Sequence, residues 1–431
     1  MSVFAKASAS RSVRAVITGV AMVGVSALLL TGCSSNSAAP TASDTPAASG
    51  DVKAVKAGDR DLTLKIGTIL PQSGALAFLG PPEEAGVALA VKDINDAKLG
   101  ITVEPTYLDS GDTTTDIATV SVTDLLSRDV TAIVGAASSG VSKTVIDKIT
   151  GAGVVMFSPA NTSPDFTNYP DQGLYWRTAP SDLLQGEVLG NQIAEDGNST
   201  LGLIVLNDAY GTGLAKSLKD TFESAGGKVV AESLFNEGDS NFAAQIADVT
   251  AANPDAIAII TFDQAKIIVP ALVGSGFPGG KLYFVDGNLS DYSKDFAPGL
   301  ITGAKGTLPG LDVGTLGDFT TRLKEIDPTL TDFSYAAESY DTVMLIAMAA
   351  YAGNDVSGKS IASYLRQVSG GTGDGTKVTD FASAAKALKD GKQVNYDGFS
   401  GPVTFDENGD PTEATIGIYE YNADNTYKRI N

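Results

Sequence analysis

The chain has 431 residues, 43% hydrophobic and 19% charged, an ordinary globular composition with enough length for more than one core. Its 51 acidic side chains outnumber 30 basic ones, a net charge of −21 that repels nucleic acid and anionic lipid headgroups. It contains no histidine, which excludes Ser-His and Cys-His catalysis, imidazole proton shuttling and the usual zinc ligand sets. Hydrolysis by two carboxylates stays formally open, but no pair stands out among the acids.

The chain opens with Arg11 and Arg14, an apolar run from Ala15 to Leu30, and then Leu30-Thr31-Gly32-Cys33. A basic start, an apolar stretch and small residues at a cleavage point predict an export signal over residues 1–32. The tetrapeptide resembles the lipobox of bacterial lipoproteins. That resemblance implies lipidation of Cys33, which becomes the first mature residue; the alternative is an ordinary secretory signal with a chance cysteine. Cys33 is the only cysteine, so no redox or metal role is expected of it. Removing the signal takes away three basic residues and no acid, leaving 27 basic against 51 acidic side chains, a net charge of −24. Such a chain would not hold to a membrane by charge, so the lipid would be the tether. Residues 33–60 are rich in Ala, Ser, Thr, Asp and Pro and read as a flexible tether. No later apolar run reaches the ~18 residues of a membrane span. Thr342 to Ala352 is apolar but short, and reads as a buried helix.

Order begins at Leu62 to Leu70, an alternating strand, followed by a loop and a helix with Val87, Val91 and Ile94 on one face. Strands follow at Ile101 to Asp109, Ala132 to Val134 and Val154 to Phe157, with helices between them. This alternation predicts a parallel sheet covered on both faces. It restarts near residue 200: strands at Leu201–Leu206, Lys228–Leu234, Ala256–Ile260 and Lys281–Val285, and a helix face at Leu214, Leu218 and Phe222. Longer helices follow residue 310, and short strands at 402–405 and 415–421 close the chain. The reading is two α/β units in series, with Leu174 to Thr178 crossing between them.

Two segments imitate ligand motifs. Gly370 to Lys377 looks suited to phosphate but lacks the Gly-Lys-Ser/Thr ending, and reads as a surface loop. Asp406 to Asp410 resembles half a calcium loop, but Pro411 and Gly417 stand where glycine and glutamate are needed, so a turn is expected. No metal and no cofactor is expected.

In open α/β units ligands bind beyond the carboxyl ends of the strands. After Val134 comes Gly135-Ala136-Ala137-Ser138-Ser139-Gly140-Val141, where a helix start and two hydroxyls could hold an anion or merely cap the helix. After Phe157 comes Ser158 to Pro164, a short polar loop stiffened by two prolines. The second unit offers Tyr210, Phe262 and Asp286 after its strands; Asp286 could also cap a following helix. Apolar Leu76, Phe78 and Leu79 follow the first strand. Anion donors, an acid, aromatics and apolar loop residues suit a zwitterion with an apolar tail, held between two closing units.

From about residue 60 onward the chain resembles the Leu/Ile/Val-binding family of solute receptors for ABC importers. The matching stretches are Ile66 to Gly74, Leu108 to Asp112, Val134 to Val141, Phe157 to Pro164, Asp208 to Gly211 and Gly401 to Asp410. The resemblance implies a type I periplasmic-binding-protein fold: two doubly wound, Rossmann-like lobes joined by three hinge crossings near 178, 305 and 409. Lobe 1 would be residues 61–178 plus 305–408, and lobe 2 residues 179–304 plus 409–431. It also implies that Ser139 and Thr162 hold an amino acid carboxylate, that the Ala160 carbonyl and Asp286 hold its ammonium, and that Tyr210 and Phe262 form the second-lobe wall. The family usually has glutamate in place of Asp286 and often tyrosine in place of Phe262. The expected function is a monomeric, non-enzymatic receptor, lipid-anchored on the extracytoplasmic face of the cell membrane, that delivers a branched-chain or related amino acid to a permease. An amide or urea receptor is the nearest alternative, and a surface carboxylate hydrolase is the alternative of another class. A ligand-sensing regulator would need a DNA-binding segment where the export signal stands.

Overall fold

The computed structural model describes residues 52–312, 314, 316–373 and 375–431. The expected export signal and Cys33 lie outside the described residues. Among the described residues no helix is long and apolar enough to cross a membrane.

The first lobe begins with β1 (Leu62–Leu70), α1 (Gly80–Ala97), β2 (Ile101–Asp109), α2 (Ile117–Ser127), β3 (Ala132–Gly135), α3 (Ser139–Gly151), β4 (Val155–Ser158) and β5 (Tyr175–Arg177). The second continues with α4 (Asp182–Glu195), β6 (Thr200–Leu206), α5 (Ala209–Ser224), β7 (Lys228–Phe235), α6 (Ala243–Ala251), β8 (Ala256–Ile260), α7 (Ala265–Gly274), β9 (Leu282–Phe284) and β10 (Lys305–Pro309). The chain then returns to the first lobe with α8 (Gly317–Ile326), α9 (Ala336–Gly353), α10 (Gly358–Val368), β11 (Thr376–Val378), α11 (Phe381–Lys389), β12 (Val394–Gly398) and β13 (Gly401–Pro402). It ends in the second with β14 (Ile416–Tyr421) and β15 (Tyr427–Arg429).

The first sheet runs β2-β1-β3-β4-β5, all parallel. One face carries α1 and α9, and the other packs α2 and α3. The second runs β15-β14-β10-β9-β8-β6-β7, parallel except for the two antiparallel C-terminal strands at one edge. A small sheet, β11-β12-β13, is packed in the first lobe with α10 and α11. Helix α9 is buried on every side, which explains why its sequence is apolar without periodicity.

Two boundaries differ from the sequence reading. The segment expected to cross between the lobes, 174–178, is itself largely the fifth strand of the first sheet, and the passage is 178–181. The second crossing comes after Pro309, not near 305, because β10 pairs with β9 and β14 inside the second sheet. The last third of the expected tether is pinned down. Arg60 is buried, with Nε donating to the Tyr351 carbonyl at 2.8 Å and its guanidinium stacked over the Tyr351 ring at 4.7 Å.

Candidate functional site

Six loops at the carboxyl ends of β1, β3, β4, β6, β8 and β9 meet at one point between the lobes. With Tyr335, at the start of α9, they enclose a cavity of about 20 Å³. That is room for about one water molecule and far less than an amino acid, so a ligand enters only when the lobes part. Leu76, Leu79, Ala137 and Ala160 of the first lobe pack into the apolar cluster of the second, and Ser163 Oγ donates across the cleft to the Ala209 carbonyl at 2.7 Å. The lobes are therefore closed.

The sequence-predicted Ser139, Ala160, Thr162, Tyr210, Phe262, Asp286 and Leu76 all line this cavity. Phe78 does not. It is half-buried and packs against the second-lobe cluster, while Leu79, one residue on, lines the cavity. The loop after β1 coils into turns, so the residue that faces the cleft depends on a turn geometry that apolar character alone does not reveal.

The two hydroxyls at the start of α3 divide their work. Ser138 is the N-cap, accepting from the Val141 amide at 3.3 Å. Ser139 Oγ accepts from the Ser163 amide at 3.3 Å, which leaves its O–H to donate into the cleft. Thr162 Oγ1 is buried beside the Asp182 carboxyl. Asp286 caps no helix. Its Oδ1 accepts from Tyr210 Oη at 2.7 Å and Gln185 Nε2 at 3.0 Å, and its Oδ2 accepts from Tyr335 Oη at 2.7 Å. The Tyr210 and Phe262 rings stack at 5.4 Å and 16°. Gly287 admits these groups: a Cβ there would stand 2.8 Å from the Thr261 carbonyl and 3.0 Å from Tyr210 Oη.

Asp182, Gln185 and Tyr335 escaped the sequence reading. Asp182 and Gln185 lie on the buried stripe of α4 with Leu189 and Ile193. An acid and an amide on the apolar face of a helix were the available signal. Asp182 is fully buried with its carboxyl beside the Thr162 hydroxyl, which pulls against the rise caused by burial; Gln185 Oε1 has no hydrogen-bond partner. Burial pushes Asp182 well above the usual carboxylate range, and the nearby Asp286 adds to the push. Burial raises Asp286 too, against the pull of its three donors. A desolvated carboxyl lining the cavity, with a second buried acid near enough to repel it, favours a positive charge there.

A second acid cluster lies on the lobe seam. Asp208 caps α5 through the Gly211 amide at 2.7 Å, and its Oδ2 stands 2.7 Å from where a Cβ on Gly140 of the other lobe would be. Burial raises Asp208 from 3.8 to about 7, with Glu237 contributing. Glu237 itself accepts from the Thr113 amide across the seam at 2.9 Å; burial raises it, and Asp112 and Asp263 add to that. A carboxyl raised on folding stabilises the folded, closed form at low pH and loses that contribution as pH climbs through its folded value. Melting temperature is therefore expected to fall between about pH 5 and pH 8, and Asp208→Asn is expected to flatten part of that slope. A pH-independent melt over that window would contradict this account of the seam.

A closed two-lobed α/β cleft with anion donors on one side and desolvated acids on the other defines a solute-binding protein. The chain belongs to the periplasmic binding protein family, whose pattern it matches over residues 63–426. It is 27% identical over 386 residues to the leucine-, isoleucine-, valine-, threonine- and alanine-binding protein of Pseudomonas aeruginosa, covering 85% of this chain and 92% of that one. It is 26% identical over 351 residues to the chemotactic signal transduction system substrate-binding protein BasB of Halobacterium salinarum, covering 78% and 82%. Its fold is shared with the leucine-binding protein LivK of Thermotoga maritima, at a TM-score of 0.71 and 21% identity over 85% of this chain and 98% of that one. These likenesses agree with the type I fold and the Leu/Ile/Val-binding resemblance read from the sequence, and with a protein that binds rather than transforms its solute.

Proposed function

We propose that this chain is the extracytoplasmic, lipid-anchored receptor of an ABC importer, and that it closes on a branched-chain or related α-amino acid. The observation that carries the reading is the polarity of the closed cleft. Asp286 lines one side of the cavity, with Gln185 donating to it, and Ser139 and Thr162 line the other. The desolvated carboxyl of Asp286 suits an ammonium, and the two hydroxyls offer donors to a carboxylate. The apolar remainder, Leu76, Leu79, Tyr210 and Phe262, suits an aliphatic side chain. The relatives named for leucine, isoleucine and valine support the same class.

The test is a thermal-shift screen over the common amino acids, short amides and urea. A ligand that binds only the folded form raises Tm with concentration. Branched-chain amino acids are expected to give the largest rise. A rise with amides or urea and none with amino acids would overturn the reading.

The anchor rests on Leu30-Thr31-Gly32-Cys33 alone. Cys33→Ser is expected to release the protein into the medium or leave its signal uncleaved. Processed mutant protein that still fractionates with membranes would sink the lipoprotein assignment.

A further inference from the structure

On the other side of Tyr335 from the cleft lies a second cavity, of about 130 Å³. That exceeds the ~10–15 Å³ a single water needs by about tenfold. Its walls come from the second hinge crossing, the loop before α9, and strands β14 and β15. Phe333, Tyr335, Tyr419 and Tyr427 line it, and so do the acids Asp312, Asp332 and Glu338. The Tyr419 and Tyr427 rings meet edge to face at 5.5 Å and 83°, forming a corner.

Glu338 is the informative member. Its side chain lines the cavity although the residue is only 4% exposed, and among the described residues no other side chain or amide hydrogen-bonds or ion-pairs with its carboxyl. Its Oε1 lies against Gly310 of the crossing, 2.5 Å from where a Cβ there would stand. Two cations stand at the margin, neither paired with Glu338: Arg429 Nη1 donates to the Gly310 carbonyl at 3.3 Å, and Lys324 Nζ stands over the Phe333 ring at 5.4 Å. Among the described residues no three acids converge as a metal site would require. A buried, unpaired carboxyl in a cavity walled by aromatic faces is the chemistry that recognises an organic ammonium or guanidinium ion.

We propose that this cavity is a second binding site, for a small organic cation, with Glu338 as counter-ion and Tyr335, Tyr419 and Tyr427 as walls. Burial raises Glu338 to about 8. At neutral pH the empty site therefore holds a proton on Glu338, and an arriving cation displaces it to solvent.

The experiment uses the folded receptor at pH 7 with tetramethylammonium or methylguanidinium chloride, against sodium chloride at equal ionic strength. The organic cations are expected to raise Tm with concentration, and calorimetry in two buffers of different ionisation enthalpy is expected to show proton release on binding. Glu338→Gln, with its fold checked by circular dichroism, is expected to abolish both. If that variant does not fold, Tyr427→Leu takes its place and is expected to remove the Tm rise. No rise with any organic cation would overturn the proposal. So would a rise that survives Glu338→Gln but disappears in Asp286→Asn, because the cation would then be binding in the amino acid cleft.

Discussion

An Asp286→Ala variant is expected to bind α-amino acids about 30-fold more weakly, or worse. The carboxyl is the acid that lines the closed cavity, and in the proposed complex it would face the ammonium in a nearly dry site. Removing one partner of such a pair leaves the other charge buried, at a cost of roughly 2–5 kcal/mol, and each ~1.4 kcal/mol is a factor of ten in Kd. The structure adds a second consequence. Tyr210, Tyr335 and Gln185 all donate to Asp286, so alanine also strands three buried donors and lowers Tm. Asp286→Asn separates the effects, because the amide oxygen can still accept while the charge is gone. Calorimetry and a melt on both variants check this. Unchanged amino acid affinity alongside a lowered Tm would remove Asp286 as the ammonium anchor and favour an uncharged solute.

Replacing Arg177 by alanine is expected to cost about 3–5 kcal/mol of folding stability, the usual price of stranding one half of a buried ion pair. Arg177 is fully buried at the end of β5. Its Nε donates to Asp410 Oδ1 at 2.6 Å and its Nη2 to Oδ2 at 2.8 Å, a two-pronged pair with the acid on the third crossing. Its Nη1 reaches the Ser163 carbonyl at 2.8 Å, and its Nη2 reaches Thr167 Oγ1 at 3.1 Å. One guanidinium thus ties two hinge segments together and braces the loop that carries Ala160 and Thr162 to the cleft. Arg177→Lys keeps the charge but lacks the fork, and is expected to recover only part of the loss. Urea unfolding measures both. A loss below about 1 kcal/mol for alanine would mean the pair acts no more strongly than a surface salt bridge.

Much of this was legible along the chain because it is local. Strand β1 alternates in its first half and is buried on both faces in its second, α5 repeats its apolar residues every four positions, and β6 is a continuous apolar run. Those periods follow from backbone geometry and the need to bury one face, so they are written in consecutive residues. The strand-end rule then pointed to the loops of the cleft, and seven of the eight expected ligand residues line the cavity. The turn at Asp406 to Asp410 was also readable: Asp406 Oδ1 accepts the Asn408 amide at 2.8 Å and the Asp410 amide at 3.1 Å.

What stayed hidden depends on residues far apart in sequence. Asp182 reads as an ordinary first-turn acid until Asp286, 104 positions later, is packed beside it and water is excluded from both. Tyr335 carries no local signature of a role in the cleft; its hydroxyl gains one only because the returning chain brings the start of α9 to the loop after β9. The place where the chain leaves the second lobe depends on whether β10 finds an antiparallel partner, and that partner, β14, lies more than 100 residues away. Periodicity records which face of an element is buried. It does not record what that face is buried against, and the charges, buried oxygens and shared hydrogen bonds of this cleft are properties of those non-local partners.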